Sequence, residues 1–306
     1  MTATMADELG TLPEPTSPRS WSRAFDDMRE GLGAWRLWTH LGWNDLRSRY
    51  RRSFFGAFWL TIATATTTAG LGILFSALFH DRLSTFLPYI GTGLIIWGFI
   101  SGCLLDGPDS FASSEGVIKQ VPAPMTVFVL RTVWRQLLTL AHNMIIYVVL
   151  LALYFGQLSH SYTMTSEHCV NNGFACQPGL GWWSLLAIPG FLILLVAMTA
   201  MTLILGVVAA RFRDVKPLIG ALVQLLFFFL PISWPLDTFV QKVGGGKAWI
   251  IQLNPLFHFV QIVRQPLIGQ SVDWWSWVVA LGLTALIWVV ALVMLRRFRA
   301  RISYWV

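Results

Sequence analysis

Seven stretches of this 306-residue chain run for sixteen residues or more without an Asp, Glu, Lys or Arg, and that gap pattern limits the fold more than any motif does. They are 53–80, 83–105, 136–166, 168–210, 217–236, 248–263 and 274–295, or 28, 23, 31, 43, 20, 16 and 22 residues. A helix needs about 20 apolar residues, at about 1.5 Å each, to cross about 30 Å of hydrocarbon. Six stretches reach that length. The first part of 168–210 is polar and glycine-rich, so it holds one span, beginning near Trp182. The sixteen-residue stretch is too short and contains Pro255, which predicts a re-entrant or interfacial hairpin. The expected fold is an all-α membrane protein with six transmembrane helices, an N-terminal amphipathic interfacial helix, and a re-entrant outer hairpin between spans five and six.

Charge gives the orientation. With the N-terminus in the cytoplasm, the cytoplasmic segments 1–52, 106–135, 211–216 and 296–306 hold 18 of the 22 Lys and Arg, and only Arg82, Lys242, Lys247 and Arg264 lie outside. That is the positive-inside bias of a multi-pass membrane protein with both termini cytoplasmic. It accounts for the net charge of +7 without a nucleic-acid partner, since the cations are divided among membrane-flanking segments. Charged residues make up only 12%, about half the share of a soluble chain, which argues against a disordered chain or an ordinary soluble enzyme.

Four regions follow. Residues 1–20 form a Pro- and Ser-bearing tail expected to be mobile, 21–52 an interfacial helix, 53–295 the six-span domain, and 296–306 a basic cytoplasmic tail. In the second region Trp21, Phe25, Met28, Leu32 and Trp35 recur at steps of 4, 3, 4 and 3, with Arg23, Asp26, Asp27, Arg29 and Glu30 on the other faces. Such a stripe describes a helix lying along the cytoplasmic headgroups, or one packed on another protein. Cys169 and Cys176, seven apart in the outer loop 156–181, are either a disulfide or two free thiols. Cys103 reads as a core residue of span two. No Cys/His spacing suits a metal ion, and no catalytic residue is expected.

The segment Asp45-Leu-Arg-Ser-Arg-Tyr-Arg-Arg-Ser-Phe-Phe-Gly-Ala-Phe-Trp59 runs a basic cluster into the first span. With 115–124 (EGVIKQVPAP), Arg131-Thr-Val-Trp-Arg135 followed by Ala141-His-Asn143, Arg211-Phe-Arg-Asp214 with Gln224 and Pro231, and Asn254-Pro-Leu with Arg264, it resembles the permeases of type-2 ABC exporters, in the branch that exports bacterial polysaccharides. The five motifs keep their order over roughly 40–270. The resemblance implies an inner-membrane permease that works as a homodimer with two copies of a separate ATPase subunit. Those partners would bind ATP and Mg, and this chain would hold no cofactor. The implied substrate is a polyprenyl-pyrophosphate-linked glycan of the O-antigen, teichoic acid, capsule or galactan type. Glu115, Lys119, Arg211, Arg213 and Asp214 would lie on the loops coupled to the ATPase. The chain carries no G-x-x-x-x-G-K-[ST]; Gly244-Gly-Gly-Lys247 is followed by Ala248 where Ser or Thr is required.

Arg131, Arg135 and His142 fall within about 40° on one helix face. Either they form a basic strip at the cytoplasmic entrance, joined by Arg47, Arg49, Arg51 and Arg52 and suited to a pyrophosphate, or the arginines are headgroup anchors and His142 a helix-contact residue. Asp106, Asp109 and Glu115 are possible counter-ions. Tyr89, Trp97 and Phe99 on span two, with Phe227, Phe228, Phe229 and Trp234 on span five, either line a sugar conduit or pack against core and lipid. Trp182, Trp183, Trp274, Trp275 and Trp277 suit an interfacial belt. Gly98 and Gly102 form a small-xxx-small pair for helix packing. Pro231 and Pro235 break span five, and the resemblance makes the region after them the outer gate, where Arg264 pairs with Asp237 or Asp273 or sits in headgroups. Other classes fit less well. A membrane glycosyl- or acyltransferase would need paired acids or a histidine base. A gradient-driven carrier would need inverted repeats and buried acids. An ABC exporter of another lipid or drug-like substrate remains open beside the glycan reading.

Overall fold

The computed structural model describes residues 20–51, 53–79, 82–120, 123–163, 176–232, 234, 236 and 251–306. The tail 1–19, Arg52, Cys169, Asp237 and the first limb of the expected hairpin lie outside them. The described residues are almost wholly helical, with a single antiparallel bridge between Tyr162 and Gln177. In chain order the helices are α1 (Trp21–Gly33), α2 (Trp35–Arg49), α3 (Phe58–Phe79), α4 (Leu83–Asp106), α5 (Asp109–Ala112), α6 (Glu115–Gln120), α7 (Met125–Leu158), α8 (Ala187–Arg211, after a 3-10 turn at Trp182–Leu186), α9 (Val215–Phe229), α10 (Pro255–Leu267) and α11 (Trp274–Trp305).

Five of these are long and apolar enough to cross a membrane: α3, α4, α7, α8 with its leading turn, and α11. The expected fifth span is the exception. Within 217–236, α9 is helical as far as Phe229, and its 15 residues reach about 22 Å, short of the hydrocarbon. Proline is the physical reason. Leu230 precedes Pro231, its helical conformation is disfavoured for that reason, and it is extended at φ −93°, ψ 137°. Among the described residues there are thus five full spans with a short apolar helix beside them, and 233, 235 and 237–250, through which the expected fifth span and hairpin run, lie outside those residues.

α4 runs through the middle, buried on nearly every side, and α3, α7, α8, α9 and α10 pack around it. A helix apolar all round belongs in such a place. α10 starts with Asn254, whose side chain accepts from the Leu256 N–H at 3.1 Å, and with Pro255 at the position where a missing N–H costs nothing. Residues Leu256 to Arg264 are all buried, so protein covers this short helix throughout. Two helices extend past the expected spans. α7 begins eleven residues earlier, carrying Arg131 and Arg135, and α11 continues through the basic residues 296–301.

The amphipathic stripe at the N-terminus faces outward. Trp21, Phe25, Leu32 and Trp35 are exposed, while Ala24, Asp27 and Gly31 are buried against α7. Segment 21–52 is two helices rather than one, broken at Ala34. Gly102 packs against Gln136 of α7, but Gly98 touches nothing, so the small-residue pair is half used.

Candidate functional site

α2 lies against the N-terminal part of α7. At Gly42 the two helices touch so closely that a Cβ would come 2.8 Å from the Trp134 ring and 3.1 Å from the Arg131 carbonyl. Trp38 meets Trp134 edge-on, at 5.7 Å between ring centres. This approach delivers Asp45, one turn further along α2, to the arginines of α7. Arg131 grips it with a fork: Nε donates to Oδ2 at 2.7 Å and Nη2 to Oδ1 at 2.5 Å. Arg131 also donates to Ser114 Oγ at 3.1 Å. Arg135 spans two carboxylates, donating to Asp45 Oδ2 at 3.3 Å and Asp106 Oδ2 at 2.9 Å, and Gln136 adds a bond to Asp106. Two guanidiniums facing two carboxylates make a locally neutral cluster, which removes the cost of holding cations near the hydrocarbon edge. Of the three possible counter-ions, Asp106 serves these arginines, Asp109 serves Lys216 and Glu115 serves Lys119. Asp45 was not singled out in the sequence, because nothing local marks a partner 86 residues away.

His142, two turns along α7, faces a different place. A cleft of about 360 Å³ opens between the end of α2 and the start of α3, lined by Trp43, Arg47, Tyr50, Arg51, Gly56 and His142 among others. His142 Nδ1 donates to the Leu138 carbonyl at 2.7 Å, so Nε2 is left as the ring's other polar atom. Arg47 and Arg51 pair with no carboxylate among the described residues, and Arg49 is exposed on the same turn of α2. The sequence grouped seven basic residues into one entrance. The structure divides them into a neutralised pair, Arg131 and Arg135, and an open cationic cleft built on Arg47, Arg51 and His142.

The expected coupling residues gather around the end of α11. A second cleft, about 250 Å³, is lined by Asp109, Glu115, Arg213, Lys216, Trp305 and Val306 among others. Lys119 bonds Glu115 at 2.6 Å and the Val306 carbonyl at 3.3 Å. That hydrogen bond and the lysine charge hold the Glu115 carboxyl below its ordinary range. Asp109, at 2.7 Å, likewise raises the Lys216 ammonium above its ordinary value. Arg211 lies over the Trp305 ring at 5.2 Å, and Asp214 directly precedes α9 without a side-chain bond to its first turn.

One further residue escaped the sequence reading. Asp27 is 3% exposed and caps α7 from another helix, accepting from the backbone N–H groups of Met125 and Thr126 at 3.0 Å each and from Thr126 Oγ1 at 2.7 Å. Arg299 of α11 completes its shell at 3.0 Å. Such a set of donors satisfies the oxygens of a buried carboxyl group.

At the far end of α9 from Asp214 the broken helix is clamped. The Pro231 carbonyl would need the N–H of residue 235, and Pro235 has none. Arg264, fully buried on α10, supplies Nη1 at 2.6 Å, and Tyr89 supplies its hydroxyl at 2.9 Å while also donating to the Trp234 carbonyl at 3.2 Å. The guanidinium sits 4.1 Å over the Tyr89 ring. Burial takes Arg264 out of the headgroup position open to it in the sequence. Asp273 instead caps α11 and bonds Ser276. Of the conduit candidates, Tyr89, Trp97 and Phe99 are buried in the core, with Trp97 against Phe227 and Phe99 against Phe191. Phe228 and Phe229 are exposed on α9, and Trp234 is half-buried.

Comparison with known proteins gives this arrangement its context. The O-antigen export system permease protein RfbA of Myxococcus xanthus is 22% identical over 69% of this chain and 72% of its own length. Two proteins of the same description from Klebsiella pneumoniae are 25% and 23% identical, over 72% and 71% of this chain and 76% and 74% of theirs. The sequence profile of the ABC-2 type transporter family matches residues 36–268, from α2 through α10, and with well over half its length inside that match this chain belongs to the ABC-2 type transporters.

Proposed function

We propose that this chain is the permease subunit of an ATP-driven exporter that moves lipid-linked polysaccharide of the O-antigen or galactan type outward across a bacterial plasma membrane. The observation that carries the reading is the family match over α2–α10, together with three export permeases aligned across more than two-thirds of both chains. The functional unit is a homodimer with two copies of a separate ATPase, which binds ATP and Mg. The cleft around Glu115, Arg213 and Lys216 is the surface that meets the ATPase, with Lys119, Arg211 and Asp214 beside it. The second copy supplies the cover that α3 and α9 lack, since both are exposed along most of their length. Such a dimer would also let the region after α9 complete a sixth span and the outer hairpin. Both termini are cytoplasmic, and Cys169 and Cys176 form a disulfide in the outer loop; Cys176 is itself disulfide-bonded.

The pyrophosphate enters at the cleft of Arg47, Arg51 and His142, with Arg49 and Arg52 adding charge around it. Guanidinium groups bind phosphate oxygens bidentately, and Tyr50 and Trp43 flank them with ring surface. Arg131 and Arg135 act through Asp45, fixing the helix that bears the cleft. Depletion of the protein should leave finished lipid-linked glycan inside the cell, and an ATPase subunit should copurify with it. ATP hydrolysis by the purified chain alone, or normal surface glycan after depletion, would overturn the reading. An exporter of a different lipid would copurify with an ATPase yet leave surface glycan unchanged.

A further inference from the structure

At the ends of α7, α8, α10 and α11, the described parts of two connecting segments, 159–163 with 176–181 and 268–273, are hydrogen-bonded to each other. Tyr162 and Gln177 exchange backbone bonds at 3.1 and 2.8 Å, and the Tyr162 hydroxyl reaches the Ile268 carbonyl at 2.6 Å. Gly179 donates to the Gly269 carbonyl at 2.9 Å, and Gly269, at φ 67°, lies against the Gly179 backbone so closely that no Cβ would fit. Ser271 donates its N–H to Gln177 Oε1 at 3.0 Å. Asp273, in the same loop, is fixed by Trp275 N–H and Ser276 Oγ.

On this frame sits a cleft of about 180 Å³ lined by Pro178, Trp183, Gln270, Val272 and Trp274. Trp183 is stacked on Trp182 at 3.7 Å between ring centres, and Trp274 leans on Trp277 at 6.2 Å, so both rings are held from behind. Trp183 and Trp274 remain 42% and 57% exposed. Neither 156–181 nor 265–273 contains a Lys or Arg, as the positive-inside bias leads one to expect of outer loops. The described lining residues therefore offer no cation to a phosphate or an acidic sugar. Two indole faces with an amide at the edge do match an uncharged ring that is apolar on its faces and hydroxylated at its rim.

We infer that this cleft is an outer subsite for a single neutral sugar residue of the glycan, held between Trp183 and Trp274. The inference rests on the glycan-export reading and places a contact for the chain outside the membrane rather than in the conduit. The probe is lipid-free surface glycan released by mild acid from the source cells, with retention by the full chain in nanodiscs measured by saturation-transfer NMR. Wild type should bind saturably, Trp183→Ala and Trp274→Ala should each weaken binding about tenfold, and Trp274→Phe should keep most of it. Trp275→Ala, a more exposed belt residue outside the cleft, should change nothing. Binding by the Trp183→Ala/Trp274→Ala double variant equal to wild type, or equal losses at Trp275, would make the rings membrane anchors and overturn the subsite. Depletion separates the two ideas: internal glycan accumulation with no binding by wild type defeats the subsite alone, whereas normal export on depletion defeats the reading beneath it.

Discussion

Arg135 shows how differently a residue reads before and after its neighbours are known. Its guanidinium joins two carboxylates from helices far apart in sequence, and its Nε is buried with no partner. Lysine keeps the charge but not the geometry that spans both acids. Arg135→Lys should therefore lower thermal stability in detergent by about 1–2 kcal/mol, the scale of a charged hydrogen bond. In a double-mutant cycle with Asp45→Asn the two losses should be non-additive by at least about 0.5 kcal/mol. Strict additivity would mean the pair does not act as a unit. Asp27→Asn removes the charge that satisfies two orphan N–H groups of α7 and faces Arg299, so it should cost about 1–2 kcal/mol, and more at Ala. The 4- and 7-residue steps of Arg131, Arg135 and His142 were legible because helical spacing is local. Their separation into a neutralised pair and an open cleft was not, because it depends on Asp45 arriving from α2. Asp27 was hidden for the same reason, as an acid on the polar face of an amphipathic stripe looks solvated until its partners are known.

Among the elements, the apolar gaps located every long helix, since crossing hydrocarbon leaves little freedom in length or composition. At α9 the helix stops at Phe229, ahead of Pro231, where length alone carried the expected span on to residue 236. The sequence did mark the break there, but not the way the freed carbonyls are satisfied, which takes side chains of α4 and α10. This clamp is testable by removing its halves. Tyr89→Phe leaves the Pro231 carbonyl bonded to Arg264 and removes one donor, at about 1 kcal/mol. Arg264→Met also vacates a fully buried cationic site and should cost about 2–3 kcal/mol, read as a lower unfolding midpoint in detergent. Equal effects would mean that the carbonyl bonds are not what the arginine provides. The N-terminal stripe taught a related lesson. Periodicity found its apolar face, yet that face turns outward, and the face touching protein carries Ala24, Asp27 and Gly31. For a helix at a membrane surface, the apolar side need not be the side that packs on its own chain.

For the molecule as a whole, the distribution of Lys and Arg makes the sidedness a testable expectation. A single cysteine at Ser159 should react with an impermeant thiol reagent in intact spheroplasts, while one at Ser113 should be protected. The reverse pattern would invert the molecule. The bond from Asp27 to Thr126 and Arg299 also orders events in time. Its carboxylate is made roughly a hundred residues before its partners on α7 and longer still before Arg299, so its set of bonds is complete only once the last helix exists. Docking of the N-terminal helix is therefore finished only after α11 has been made. Chains released early, before α11 is made, should keep α1 sensitive to protease, and the first helix would then report that the last one has been delivered.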